Sequence, residues 1–418
     1  MNTMKWYDWI QYSVLVMMAV AIPIGWHYAL WVASLLGVVT IIKVIAQRKV
    51  WNPSLGTLHR VALCGPVVYW LVLALSLLWS SDIATGLEVL RLKAVLLFFP
   101  ICILLSDTTY LTSRHLRGLG YALLAGAVCT FLYFIVNAGI EVSKGMEFKS
   151  FQNTFYTPER SGVYHHAYIA LYTVVAMAFV YHELFRHWKE LKGWLRIVLI
   201  VSLLLIISHT VIVNSRAGML AMGLTVVACV VHLVITQRRW KLGLLVGLLA
   251  AAFIVAATQF IPGYVDRIAS TVEHAEDDAR TFINRSNLHA FTASPIVGYG
   301  VGDYHAVQIQ HYTADAFEAG IKAEYNAHNQ YMESLVSAGV LGLLSLLFFL
   351  LTPLFVAWRR HSPHIFLLAV LTGIVMFNLL FESMLERQMG LLFIGPLFAV
   401  MVLILSVEEN KFVQSSKS

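Results

Sequence analysis

The chain has 418 residues, of which 59% are hydrophobic and only 12% charged, and its mean hydropathy is +0.73. A soluble domain carries about a quarter charged residues, so this composition excludes an ordinary soluble protein and points to a chain that uses the bilayer as its solvent. The formal charge of +6 is not a nucleic-acid signature, because the basic residues sit in short loops between apolar runs.

A membrane span needs about 20 apolar residues. On that basis about twelve spans are expected, near 9–25, 28–46, 62–80, 92–106, 117–137, 161–182, 196–213, 217–235, 241–261, 330–357, 365–385 and 389–407. The opening "MNTMKWYDWIQYSVLVMMAVAIPIGW" lacks a small-residue cleavage site and reads as a retained first span. The loops 43–60, 113–117, 185–196, 237–241 and 358–364 are basic and alternate along the chain. The positive-inside rule puts them, and both termini, in the cytoplasm. The opposite side carries a loop over about 138–160 and a larger one over 262–329, periplasmic in a bacterial host. The expected fold class is thus an all-α polytopic membrane protein. It divides into spans one to nine (1–261), a partly helical loop (262–329), spans ten to twelve (330–407) and a cytoplasmic tail (408–418). Cys64, Cys102, Cys129 and Cys229 all lie in apolar runs without paired spacing, which suggests neither a disulfide framework nor a zinc site.

The large loop has its own structure in prospect. "DDARTFINRSNLHAFTASPIVGYGVGDY" (277–304) opens with acids that suit a helix start, carries a partial stripe of Ile283, Leu288 and Phe291, and stops at Pro295 and a glycine turn. "TADAFEAGIKAEYNAH" (313–328) reads as a second short helix. A loop this long is more often functional than a linker.

Ionisable residues gather at this outer end. Arg216 in "VIVNSRAGMLAMG" lies where two apolar runs meet with almost no loop. An arginine near hydrocarbon costs up to about 2.5–3.5 kcal/mol at mid-span depth. An anionic ligand would offset that, since the guanidinium fork matches phosphate oxygens; a lipid headgroup or a loop carboxylate would serve as well. Arg280 and Arg285 lie on the expected loop helix, five residues apart and so on different faces, with Glu276 and Asp278 as alternative ion-pair partners. His328 opens span ten within "YNAHNQYMES". A neutral imidazole there suits proton abstraction from a sugar hydroxyl, with Asn326, Asn329, Gln330 and Glu333 placed to orient it or to bind hydroxyls. The plainer reading is a polar helix start capped by Asn326 or Asn329. Arg160, His165 and His166 precede span six, Arg91 and Lys93 begin span four, and Glu382, Glu386 and Arg387 form the last outer turn; each suits a local ion pair or an interfacial anchor. There is no Walker loop, GxSxG elbow, Rossmann fingerprint or outer DxD pair, which disfavours an ATP-driven pump and a metal-dependent sugar transferase. Charges at the rim rather than in mid-membrane disfavour a transporter.

The pattern R-x14-P-x-x-G-x-G is met by Arg280, Pro295, Gly298 and Gly300. "HNQYMESLVSAGVLGLL" follows with His328, Asn329, Glu333, Gly339 and Gly342, and "NSRAGML" supplies Arg216 upstream. This trio, spanning about 211–344, resembles the O-antigen ligase superfamily, which includes O-antigen ligases, O-antigen polymerases and protein O-oligosaccharyltransferases. The resemblance implies an inverting, metal-independent glycosyltransferase without a cofactor. Its donor would be a glycan on undecaprenyl diphosphate and its acceptor a sugar hydroxyl of lipid A-core, in the bacterial inner membrane with the site facing the periplasm. His328 takes the place of the catalytic histidine, and Arg216 and Arg280 those of diphosphate-binding arginines. The family's ligases carry a further arginine earlier in the chain; Arg160 is the nearest candidate. Asn284 stands where the family usually has tryptophan, which keeps Arg285 as a competitor to Arg280.

Overall fold

A computed structural model describes residues 4–48, 51–145, 165–213, 215–260 and 279–415, with the backbone alone for 253–260 and 409–415. The described residues form helices joined by turns, with no strand among them, because in lipid each backbone N–H and C=O must be satisfied within its own segment. Among the described residues, nine helices are long and apolar enough to cross a membrane, and three shorter apolar helices, Val95–Leu105, Trp240–Ala252 and Ile365–Asn378, fall at the remaining expected spans. The helices are α1 (Trp6–Ile24), α2 (Trp26–Gln47), α3 (Thr57–Ser76), α4 (Ile83–Lys93), α5 (Val95–Leu105), α6 (Ser113–Ser143), α7 (His166–Arg186) and α8 (Gly193–Val213). They continue with α9 (Arg216–Val231), α10 (Trp240–Phe260), α11 (Ala279–Ala293), α12 (Tyr304–Ala314), α13 (Glu318–Ala323), α14 (Gln330–Arg359), α15 (Ile365–Asn378) and α16 (Gln388–Ser415).

The inner helices are α7 and α16, buried around most of their circumference, whereas α9 is mostly exposed. Along α7, Tyr168, Leu171, Tyr172 and Val174 are essentially inaccessible. Exposed Leu204, Leu220, Leu224 and Leu248 clothe the outer helices for lipid. Close approach depends on small residues: a side chain at Gly65 of α3 would come within 2.9 Å of the Phe349 backbone in α14.

Three expectations need correction. Span eleven ends at Asn378 rather than near 385, so 379–387 form a turn outside the membrane helices. The segment 313–328 is not one helix; α12 and α13 flank a break at 315–317. Leu288, placed in the apolar stripe of α11, is 47% exposed, while Ile283 is buried. The acidic start of the loop at Asp277 and Asp278, the loop carboxylate Glu276 and the candidate Arg160 lie outside the described residues.

The glycine turn after α11 docks onto a break in α14. Ala338 (φ −135°) and Gly339 (φ 61°) leave helical geometry in mid-helix. The backbone groups freed there are taken up by the turn: Tyr299 N donates to the Val336 carbonyl, Gly300 N to that of Ser337, and Val340 N to that of Pro295. A Cβ at Gly298 would lie 2.6 Å from the Val336 carbonyl oxygen, and one at Gly339 2.2 Å from that of Ile296. The two glycine motifs are therefore halves of one contact, and that contact positions α11 against the membrane bundle.

Candidate active site

Two helix starts meet at one pocket. α7 begins at His166 after an N-cap at His165, and α9 begins at Arg216 after an N-cap at Ser215, whose hydroxyl accepts from Gly218 N. A Cβ at Gly218 would lie 2.2 Å from that of Ala170, so the glycine lets the first turn of α9 press onto α7. The first amides of a helix lack intrahelical partners and carry partial positive charge, and two such ends side by side favour an anion.

The pocket has a volume of about 240 Å³. His165, His166, Arg216, Arg280, Asn378 and Glu382 supply its polar lining. Arg280 also lies over the Phe381 ring, 5.9 Å from its centre. Arg285 does not line the pocket: five residues further along α11 it is exposed to solvent. The two loop arginines that sequence left in competition thus differ, since a five-residue step turns a helix by well over a quarter turn.

His328 joins the pocket through Glu382. Its Nδ1 lies 3.3 Å from Glu382 Oε2, with the histidine side chain 28% and the carboxylate 6% exposed. Its backbone is in the left-handed region, φ 43°, a conformation that costs energy and persists where surrounding contacts impose it. Here Asn326 imposes it: its Oδ1 accepts from His328 N at 3.1 Å, while its Nδ2 donates to Glu386 at 2.7 Å. Tyr304 also donates to Glu386. A ring that donates from Nδ1 to this carboxylate leaves Nε2 as its basic nitrogen. Burial pushes the Glu382 carboxyl up, but the hydrogen bond and charge of His328, with the charges of His165 and Arg387, outweigh it and hold it below the usual carboxylate range. Burial lowers the His165 imidazole from its ordinary value, and Arg387, His328 and Arg280 act the same way against Glu382.

Asn329 and Glu333, expected to support His328, do other things. Asn329 caps α14, accepting from Tyr331 N and Met332 N. Glu333 faces away into the bundle, 2% exposed, and binds Lys93 Nζ at 2.8 Å. Lys93 also donates to the Leu385 carbonyl at 3.2 Å. Gln330 grips the same turn, its N donating to Leu379 O and its Oε1 accepting from Leu385 N. The 379–387 turn that carries Glu382 is thus clamped from α4 and α14. A second buried pair, Lys43–Asp8 at 2.8 Å, lies at the other end of the bundle. Sequence reading did not single out Glu382 as the partner of His328, or join Lys93 to Glu333. The available signal was rarity: a charge beside a span in so apolar a chain requires a partner.

A family model described as O-antigen ligase matches residues 200–347. The chain is also 25% identical over 337 residues to the exopolysaccharide production protein ExoQ of Rhizobium meliloti (strain 1021), covering 76% of this chain and 72% of that one. The match over 200–347 and the similarity over most of the chain both support the O-antigen ligase-like superfamily. It is a multi-pass membrane protein, and both comparisons support a membrane glycosyltransferase of the O-antigen ligase or polymerase kind. The matched region holds Arg216, Arg280 and His328. His165, His166, Asn378 and Glu382 come from outside it and complete the pocket of this superfamily member.

Proposed function

We propose that the protein is an inverting, metal-independent glycosyltransferase that moves a glycan from undecaprenyl diphosphate to a sugar hydroxyl of lipid A-core, on the periplasmic side of the bacterial inner membrane, with both termini cytoplasmic. The observation that carries this reading is the convergence of Arg216, Arg280 and two helix starts on one pocket whose carboxylate, Glu382, holds His328. His328 Nε2 takes the acceptor hydroxyl proton as the oxygen attacks the anomeric carbon. The bond from that carbon to the diphosphate breaks, and polyprenyl diphosphate leaves with the electron pair. Arg216, Arg280 and the helix starts neutralise the charge that grows on it; one oriented donor contributes about 2.7–4 kcal/mol in comparable sites. Glu382 stabilises the imidazolium formed. Two guanidinium groups supply the positive charge for which other transferases use a divalent ion.

A second reading, polymerisation with another lipid-linked glycan as acceptor, is favoured by the similarity to a protein named for exopolysaccharide production. Purified protein given undecaprenyl-diphosphate glycan and either acceptor, with EDTA, tests both. Ligase function is expected to yield glycan on lipid A-core. Lengthened lipid-linked glycan would replace ligation by polymerisation, and loss of activity with chelator would overturn the metal-free mechanism.

A further inference from the structure

A second cavity lies at the far end of the same central helix. α7 leaves the candidate site at His166, enters the wall of this cavity at Val175 and Phe179, and reaches its charged end at His182–Arg186, a rise of roughly 30 Å at about 1.5 Å per residue. The cavity encloses about 580 Å³ between α1, α5, α6, α7, α15 and α16. Its depth is hydrocarbon, with Met18, Ile22, Phe99, Phe393 and Leu397 in the wall. Its charged residues gather at one end, where Arg117, Glu183, Arg186, His187, His364 and Glu408 line it. All but Glu408, which belongs to α16, come from, or stand beside, three of the basic loops. The chamber is therefore apolar within and polar at the basic-loop surface.

Such a space does not suit emptiness or water. Close-packed interiors leave few voids larger than a water molecule, and this one is about twenty times the roughly 30 Å³ that a water occupies in the liquid. Water avoids apolar-lined space that offers it few partners. The medium around these helices is lipid chain, and the volume lies within the roughly 300–1,000 Å³ typical of ligand sites.

We propose that this cavity holds one acyl chain of an anionic phospholipid, drawn from the leaflet beside the basic loops, with its phosphate against Arg186. Arg117 is less suited to the headgroup. Its Nε binds Glu183 at 2.8 Å and its Nη1 binds Glu190 at 3.3 Å. Arg186 is exposed at the rim and donates from Nη1 to the Pro363 carbonyl at 3.0 Å. Lys189 and Lys192 are exposed in the same loop, and cations at this depth attract anionic headgroups. The site is independent of the role given to His328.

The test uses the full-length protein in bilayers containing phosphatidylglycerol with a photoactivatable group near the end of one acyl chain. After irradiation, adducts are mapped by peptide mass spectrometry. Adducts are expected on Phe99, Phe393 and Leu397, competed by unlabelled phosphatidylglycerol, lost in Ala399→Phe, which fills the chamber, and reduced in Arg186→Gln. Labelling of lipid-facing Leu204 and Leu248 should stay constant. Adducts confined to those lipid-facing residues, or unchanged in Ala399→Phe, would overturn the site. Competition by undecaprenyl phosphate but not by phosphatidylglycerol would replace the acyl chain with a prenyl chain, and equal competition by phosphatidylethanolamine would remove the anionic headgroup. If Ala399→Phe does not insert, the wild-type map, its competition and Arg186→Gln still decide.

Discussion

Replacing Glu382 by glutamine tests the coupling between the pocket and His328. The amide keeps the shape of the carboxylate and removes its charge. A hydrogen bond to a charged group contributes about 1.5–3 kcal/mol and a neutral one about 0.5–1.5 kcal/mol. Glu382→Gln therefore removes about 1–1.5 kcal/mol, roughly a five- to tenfold loss at about 1.36 kcal/mol per factor of ten. Glu382→Ala removes the whole contact and should cost roughly ten- to a hundredfold. The carboxylate acts on the imidazolium that forms during transfer, so the loss belongs in kcat and not in KM. The assay is single-turnover glycan transfer by purified protein, with membrane insertion and thermal stability measured alongside. The pH dependence of the contact has a definite sign. A carboxyl held below its ordinary value of 4.5 contributes fully above that value, and its contribution disappears only as pH falls through the lower folded value. The loop should therefore keep its order at mildly acid pH. Wild-type turnover in Glu382→Gln, or an effect confined to KM, would refute the reasoning.

Arg280→Gln should lower transfer by about 100- to 1,000-fold as one oriented donor is lost. Arg285→Gln, exposed and outside the pocket, should stay within about twofold; comparable losses would contradict the separation of the two faces of α11. Lys93→Met strands the buried Glu333 carboxyl and should destabilise the protein by about 3–5 kcal/mol, with much of that recovered in Lys93→Met/Glu333→Leu; thermal unfolding in detergent reads both. Gly339→Ala places a Cβ against the Ile296 carbonyl at a positive φ and should cost at least about 1–3 kcal/mol. Gly373→Ala meets open space and should be neutral or stabilising by up to about 1 kcal/mol in the same measurement.

Much of the site was visible in the sequence because its parts break local rules. Arg216 at an outer turn, His328 in a polar cluster at a span mouth, and a proline–glycine run after α11 each stand out against an apolar background. Other parts obeyed local rules and stayed hidden. His165 and His166 read as a local ion pair or interfacial anchor before span six rather than as the lining of a pocket, and Asn378 as part of a span. Glu382 was visible as a charge but not as a partner. The resemblance placed Arg280 in the site but kept Arg285 as a competitor until their helix acquired an inner and an outer face.

Sequence alone determined that this chain folds as a bundle of about twelve membrane helices and which end carries the basic loops, because hydrocarbon compels long apolar runs to become helices whatever their neighbours. Only the tertiary structure decided that Glu382 meets His328 across 54 positions and that Glu333 turns away to Lys93. It also decided that the Gly298–Gly300 turn closes on the break at Gly339. Those pairings depend on which helices lie side by side and how each is rotated about its axis, and an apolar run of residues encodes neither.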